Sequence, residues 1–289
     1  MNTFWQDIYY KTFKSGSKLN LLIGINVAVF LVMGFINVLQ FLTGNTSGFG
    51  SFNLSNYLAL PAYLPQLLKH FWTPFTYMFV HAGIFHILFN MLWLYWMGQI
   101  FEEFLGKKRT LGLYLLGGLA GGALYIISYN IFPVFSQTAE LYIPMVGASA
   151  SVMAIAAAAA TIVPNYTIFL MFIGPVRLKW IVLVLVVIDF LSIGGGNAGG
   201  EIAHLGGALF GFLYVKQIQK GNDWIAAISA LFMPKPKLKV VSNNSNKGKS
   251  AGDMPRQEEI DKILDKISKT GYENLSTHEK EILFRASKK

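Results

Sequence analysis

The chain of 289 residues is 53% hydrophobic and only 13% charged, about half the charge of an ordinary soluble domain. The charge is also uneven, with 18 Asp, Glu, Lys and Arg in residues 1–234 and 21 in residues 235–289. So few charges cannot cover a soluble body of that size, so a lipid-facing body with a basic, water-soluble tail remains.

A spanning helix needs about 20 mostly apolar residues. The first is predicted at Leu21 to Leu42, behind Lys11, Lys14 and Lys18. It lacks a small-residue cleavage site and is too long for a signal-peptide core, so it is expected to remain as an anchor. From Gly44 to Phe79 the chain is rich in Pro, Asn and aromatic residues with one cation, Lys69, which suits a loop lying partly in the membrane interface. Further spans are predicted at Gly83–Phe101, Leu111–Ile131, the alanine-rich Gly147–Val163, Trp180–Ile193 and Ile202–Val215. Tyr166 to Val176 is apolar but broken by Gly174-Pro175 and too short to cross, so it is expected to be an interfacial connection.

Beyond the sixth span, Asp223 to Met233 predicts a short interfacial helix, and Pro234 to Pro255 a basic linker expected to be disordered. From Gln257 onward, Ile260, Ile263, Leu264 and Ile267 have amphipathic helical spacing. Gly271 breaks the run, and Ser276-Thr277-His278-Glu279 opens a second helix bearing Ile282, Leu283 and Phe284. The expected fold is an all-α polytopic bundle of six transmembrane helices with a small helical cytoplasmic extension. Its organisation is a cytoplasmic segment at 1–19, the bundle at 20–220, an interfacial helix and linker at 221–256, and a helical hairpin at 257–289.

The cations set the orientation. With the N-terminus inside, 23 of the 24 Lys and Arg fall on the inner side and Lys69 alone outside. Both termini are therefore expected in the cytoplasm. The formal charge of +9 is read as topological and not as a nucleic-acid surface, because 15 of the cations lie from Lys216 onward. The absence of cysteine excludes disulfides, thiolate zinc sites and a cysteine nucleophile.

Polar groups inside the membrane are expensive and each needs a reason. Span 2 carries His86 and Asn90 on one helical face, span 4 opens with Gly147-Ala148-Ser149-Ala150, and span 6 carries His204. In this orientation spans 2, 4 and 6 all enter from the outer face, and the three motifs lie within about 10 Å of that end. Ser149 is a potential nucleophile and His204 a potential base on a closely packable helix. Gly207 and Gly211 form a GxxxG pair beside His204. His86, Asn90 and the Ser149 amide can donate to an oxyanion, with the helix N-terminus adding favourable potential. Singly, each motif reads as helix packing; together, acyl-transfer chemistry stands beside that reading.

The segments His81-x-x-x-x-His86-x-x-x-Asn90, Gly147-x-Ser149 and Ala203-His204-x-Gly206-Gly207-x-x-x-Gly211 resemble the signature set of rhomboid intramembrane serine proteases, bacterial type, over about residues 15–220. The resemblance implies a Ser149–His204 dyad with no carboxylate required, His86 and Asn90 at the oxyanion, and His81 as a structural partner. It also implies a first loop in the outer leaflet, and a fifth span and following loop that gate substrate entry. Two positions depart from the pattern: Thr73 stands after Trp72 where many bacterial members have arginine, and Met153 stands where many have tyrosine under the histidine.

Other residues are read more modestly. Asp189, near the outer end of span 5, is by default a suspect for function as an ionisable residue in a span, with a snorkelling or capping role weighed above that. Glu201 either tunes His204 or is a solvated helix start. The run Gly194–Gly200 is no phosphate loop, since no Gly-Lys-Ser/Thr follows, and is expected to be a flexible cap. Gly117-Gly118 and Gly121-Gly122 are expected to allow close helix packing.

The expected activity is endoproteolysis of single-pass or polytopic membrane-protein substrates near the outer face of a bacterial cell membrane. No metal, organic cofactor or nucleic-acid partner is implied, and the oligomeric state is open. The competing readings are an inactive rhomboid-like binding protein and a transporter or channel using His86, Asn90 and Asp189.

Overall fold

The computed structural model describes residues 16–44, 57–137, 143–171, 173–232 and 257–287, together with Gln6 and Tyr9. The predicted linker, Lys11 and Lys14 lie outside these residues. The chain divides into two units, residues 1–234 and 235–289.

The first unit holds six long helices: α1 (Lys18–Leu42), α2 (Ile84–Leu105), α3 (Thr110–Ile131), α4 (Ser149–Ile162), α5 (Leu178–Ser192) and α6 (Ala198–Gln219). Among the described residues, α1, α2 and α3 are long and apolar enough to cross a membrane by themselves. The 14 residues of α4 span only about 21 Å at 1.5 Å per residue, short of a hydrocarbon core of about 30 Å. That shortfall does not strand α4 in lipid, because Ala150 to Ala160 are all buried inside the bundle.

Small residues bring the neighbours of α4 close. A Cβ at Gly207 would lie 2.0 Å from the Ala150 carbonyl oxygen, and one at Gly211 would lie 2.0 Å from that of Ala154. Because both numbers rise together, α4 and α6 run in the same direction. On the other side Gly117 faces Ala154 and Gly121 faces Ala150, so α3 runs antiparallel. The predicted role of the α3 glycines in close packing is visible here.

Most of α1 and α5 faces outward. Leu31, Val32, Phe35, Phe41 and Leu42 of α1 are exposed, as suits a lipid-facing surface. Only Leu178 and Val182 of α5 are buried, both in its first half, while Phe190 and Leu191 near its end are exposed.

One carboxylate ties three helix ends together. Glu102, in the last turn of α2, accepts hydrogen bonds from Ser17 Oγ (3.2 Å), the Leu19 amide (3.2 Å) and Thr110 Oγ1 (2.9 Å). It thus places negative charge at the N-termini of α1 and α3, where the helix dipoles favour it. Glu102→Ala leaves these donors unmet, at an expected cost of about 3 kcal/mol. Thermal unfolding in detergent micelles checks this, with Glu102→Gln expected between wild type and alanine. Nearby, Arg109 pairs with Asp223 at 2.6 Å, and Tyr214 donates to the same carboxylate. Burial pushes the Asp223 carboxyl up, but the Ala226 amide, Arg109 and Tyr214 outweigh it and hold the group below its usual range.

Two connections carry local structure that the sequence reading did not specify. The strands β1 (Thr167–Leu170) and β2 (Gly174–Arg177) pair antiparallel, Thr167 with Arg177 and Leu170 with Gly174. The segment between α1 and α2 carries short helical turns at Leu64–Lys69 and Thr73–Phe79. Leu60 pairs with Met145 through two 2.8 Å backbone hydrogen bonds, and the Tyr77 carbonyl accepts from the Gly147 amide at 3.0 Å. The loop thereby braces the segment that leads into α4. Thr73 is buried and donates to the His70 carbonyl at 2.8 Å.

After α6 comes α7 (Trp224–Phe232), at the predicted place. The second unit contains α8 (Gln257–Thr270) and α9 (Thr277–Ser287), separated at Gly271, whose φ is +82°. Ser276 and Glu279 form a reciprocal capping box, with the Ser276 amide donating to Glu279 at 2.7 Å and the Glu279 amide to Ser276 Oγ at 3.3 Å. Lys266 reaches both Glu279 oxygens at 2.9 Å. Lys266 and then Ser276 pull the Glu279 carboxyl down from 4.5 to about 2. A depressed carboxyl stabilises the fold above its unfolded value and loses that contribution as pH falls through the folded one. The hairpin should therefore keep this support above pH 4.5 and lose it towards pH 2. Glu279→Gln should accordingly speed hydrogen exchange of residues 257–287 near neutrality, with the difference from wild type vanishing near pH 2.

Candidate active site

Ser149 is the first residue of α4, placed by the braced segment before it. Gly147 has a φ of +132°, and a Cβ there would meet His86 Nε2 at 2.8 Å. Both the backbone angle and the ring reject a side chain, so glycine is required at this position. His86 stands in the first turn of α2 and His204 in the second turn of α6.

One cavity of about 430 Å³ collects these residues. Its wall includes His86, Asn90, Ser149, Met153, Asp189 and His204. The predicted nucleophile, base and oxyanion donors are thus brought together. His81 lies outside the cavity wall, with its ring 5.1 Å from His86 at 71°. Burial, and then the charge of His86, push the His81 imidazole down to about 4, so it is neutral near pH 7, consistent with a supporting place. Gly207 and Gly211 serve the α4–α6 contact.

The hydrogen bonds assign the rings. The Ala82 amide donates to His86 Nδ1 at 3.4 Å, so the neutral ring carries its proton on Nε2, the nitrogen facing Gly147. Asn90 Nδ2 donates to the His86 carbonyl at 2.8 Å, which leaves its second N–H available. His204 Nδ1 lies 3.0 Å from Asp189 Oδ1. An ionised carboxylate has only acceptor sites, so Nδ1 is the donor and Nε2 is bare. Among the described hydrogen bonds none joins Ser149 Oγ to His204; such contacts often tighten only when substrate is present.

Asp189 corrects its sequence reading. It does not snorkel or cap a helix but binds the imidazole of α6. The available signal was its depth, shared with the other polar motifs. Glu201 makes no hydrogen bond to His204 among the described residues, and its Oε2 is buried without a partner. The glycine run also differs, since α6 already begins at Ala198 and Gly199 packs on Tyr125 and Tyr129. Only its first part is loop, where Asn197 lines the cavity. Met153 occupies the wall one turn after Ser149 and offers a thioether in place of a ring face.

These features define a class, a polytopic helical membrane protein whose bundle encloses a serine–histidine cavity near one end. The rhomboid domain model matches residues 68–220, and the chain belongs to the rhomboid family. Residues 253–289 match a family of unknown function, DUF6576. The chain is 32% identical over 158 residues to RHOMBOID-like protein 12, mitochondrial, of Arabidopsis thaliana, covering 52% of this chain and 47% of that protein. It is 30% identical over 140 residues to Presenilin-associated rhomboid-like protein A, mitochondrial, of Danio rerio, covering 47% of this chain and 35% of that one. The matches thus span half or less of these curated relatives.

Proposed function

We propose that the chain is an intramembrane serine endopeptidase acting on membrane-protein segments near the outer face of the bilayer. The observation that carries this reading is the convergence of Ser149, His204, His86 and Asn90 on one cavity from three helices. Ser149 Oγ attacks the peptide carbonyl while His204 Nε2 takes its proton. His86 Nε2–H, the free Asn90 N–H and the Ser149 amide stabilise the oxyanion at the N-terminus of α4. His204 then protonates the leaving amine, and the acyl-enzyme is hydrolysed by water. A second cavity shares His86, Val146, Asn197 and Gly200 with the first and offers water a route to the site.

Single-pass or polytopic proteins are the proposed substrates, entering past α5. The cation asymmetry supports cytoplasmic termini, but it sets orientation and not organelle. A bacterial cell membrane is our proposal, although both relatives named above are mitochondrial; fractionation of cells carrying the tagged chain separates the two.

A non-catalytic client-binding role is the second reading, favoured by the lack of a Ser149 Oγ–His204 hydrogen bond among the described residues. Fluorophosphonate labelling of the detergent-solubilised chain decides between them. Covalent labelling lost in Ser149→Ala supports the protease, and an unlabelled wild type supports the binding protein.

A further inference from the structure

We propose that Asp189 is the positioning residue for His204 and makes its orientation depend on the seating of α5. The proposal rests on the protease reading above. Asp189 sits in the last turn of α5, where a negative charge meets the unfavourable end of the helix dipole and a membrane environment besides. Both costs need a partner, and that partner is His204 Nδ1 at 3.0 Å, with the two side chains only 16% and 20% exposed. The geometry selects a tautomer. With Nδ1–H committed to the carboxylate, Nε2 is the bare nitrogen that can accept the Ser149 proton. As the O–H bond of Ser149 breaks and the N–H bond on Nε2 forms, the imidazolium that results lies against an ionised carboxylate. Asp189 itself gains no proton. Two other titratable groups face this ring: His86 from α2, and Glu201 from the turn before His204 on the same helix. Neither hydrogen-bonds it among the described residues, so Asp189 alone orients it.

The consequence for α5 follows from its packing. Its buried residues, Leu178 and Val182, lie in its first half, whereas Ile188, Phe190 and Leu191 around Asp189 are exposed. Among the described residues, the Asp189–His204 hydrogen bond is therefore the side-chain polar tie between this half of α5 and the bundle. Moving the end of α5 sideways withdraws the carboxylate and frees the base to turn.

The test measures fluorophosphonate labelling of the full chain in detergent, separating probe binding from the maximal labelling rate. Asp189→Asn places an amide N–H against Nδ1 and favours the Nε2–H tautomer, so the maximal rate should fall about 100-fold with probe binding unchanged within about twofold. Asp189→Glu should recover at least about tenfold over Asp189→Ala. Ring 15N spectra of histidine-labelled protein should show one histidine exchanging an Nδ1–H for an Nε2–H signal in Asp189→Asn. An Asp189→Asn protein that labels at the wild-type rate overturns the proposal. So does equal impairment of the Ala and Glu variants in step with lost thermal stability and no change of tautomer. A wild-type protein that fails to label overturns the protease reading instead, and this proposal with it.

Discussion

Ser149→Ala and His204→Ala are each expected to lower cleavage of a reconstituted transmembrane substrate by at least about 10³-fold, and the double variant by no more than either single one. The reason is that Ser149 and His204 perform one step. Without the hydroxyl there is nothing to deprotonate, and without the imidazole the hydroxyl is a weak nucleophile at neutral pH. What survives in both is substrate binding and the oxyanion donors His86, Asn90 and the Ser149 amide. Neither substitution disturbs the main packing: Ser149, only partly buried, opens α4 before the buried run Ala150–Ala160, and His204 borders the cavity. Thermal midpoints in detergent should therefore stay near wild type while turnover vanishes. Losses that multiply in the double variant would mean that the two residues act separately. Unimpaired cleavage by either single variant would remove the proposed mechanism.

How much of this was legible in the sequence depends on which force sets each feature. Lipid imposes apolar composition on whole segments, so α1, α2 and α3 lie within a few residues of their predicted places. Depth was legible for the same reason, since His86, Ser149 and His204 are polar interruptions in otherwise apolar runs. Features set by tertiary contact were less visible. Apart from Thr167 and Arg177 at their outer ends, the two strands are apolar, so no alternation of polar and apolar residues announced them. Gly174, with a φ of +88°, opens β2 where it had been read as a break. Gly199 and Gly200 look like loop residues, yet they are helical because Gly199 packs on Tyr125 and Tyr129. The hydrogen bond from His204 to Asp189 depends on how α5 and α6 are rotated about their axes, and their spacing of 15 residues carries no record of that. The junction at Glu102 was hidden likewise, because two of its three donors come from residues 83 and 85 positions away.

Gly207→Ala and Gly34→Ala make the same chemical change and should have opposite effects. Gly34 lies on the exposed face of α1 with nothing within 4 Å of an added methyl. There alanine should be neutral or stabilising by up to about 1 kcal/mol through helix propensity. At Gly207 the methyl would fall 2.0 Å from the Ala150 carbonyl oxygen and 2.8 Å from its carbon. Those atoms belong to the backbone of the central helix, so no side chain can swing aside to make room, and α6 must move away from α4. Ordinary overpacking costs about 1–3 kcal/mol, and a backbone collision at the most buried helix belongs at the upper end. Because Ser149 opens α4 and His204 stands one turn before Gly207, the separation also widens the gap across which the proton must pass. Activity should therefore fall by at least about 100-fold, since a displacement of about 1 Å already costs that much. Gly207→Val, which adds branches to the same collision, should yield no stably folded protein. Thermal unfolding in micelles and substrate cleavage for the Gly34 and Gly207 variants check both signs. A Gly207→Ala protein as stable and active as Gly34→Ala would mean that α4 and α6 are not in backbone contact.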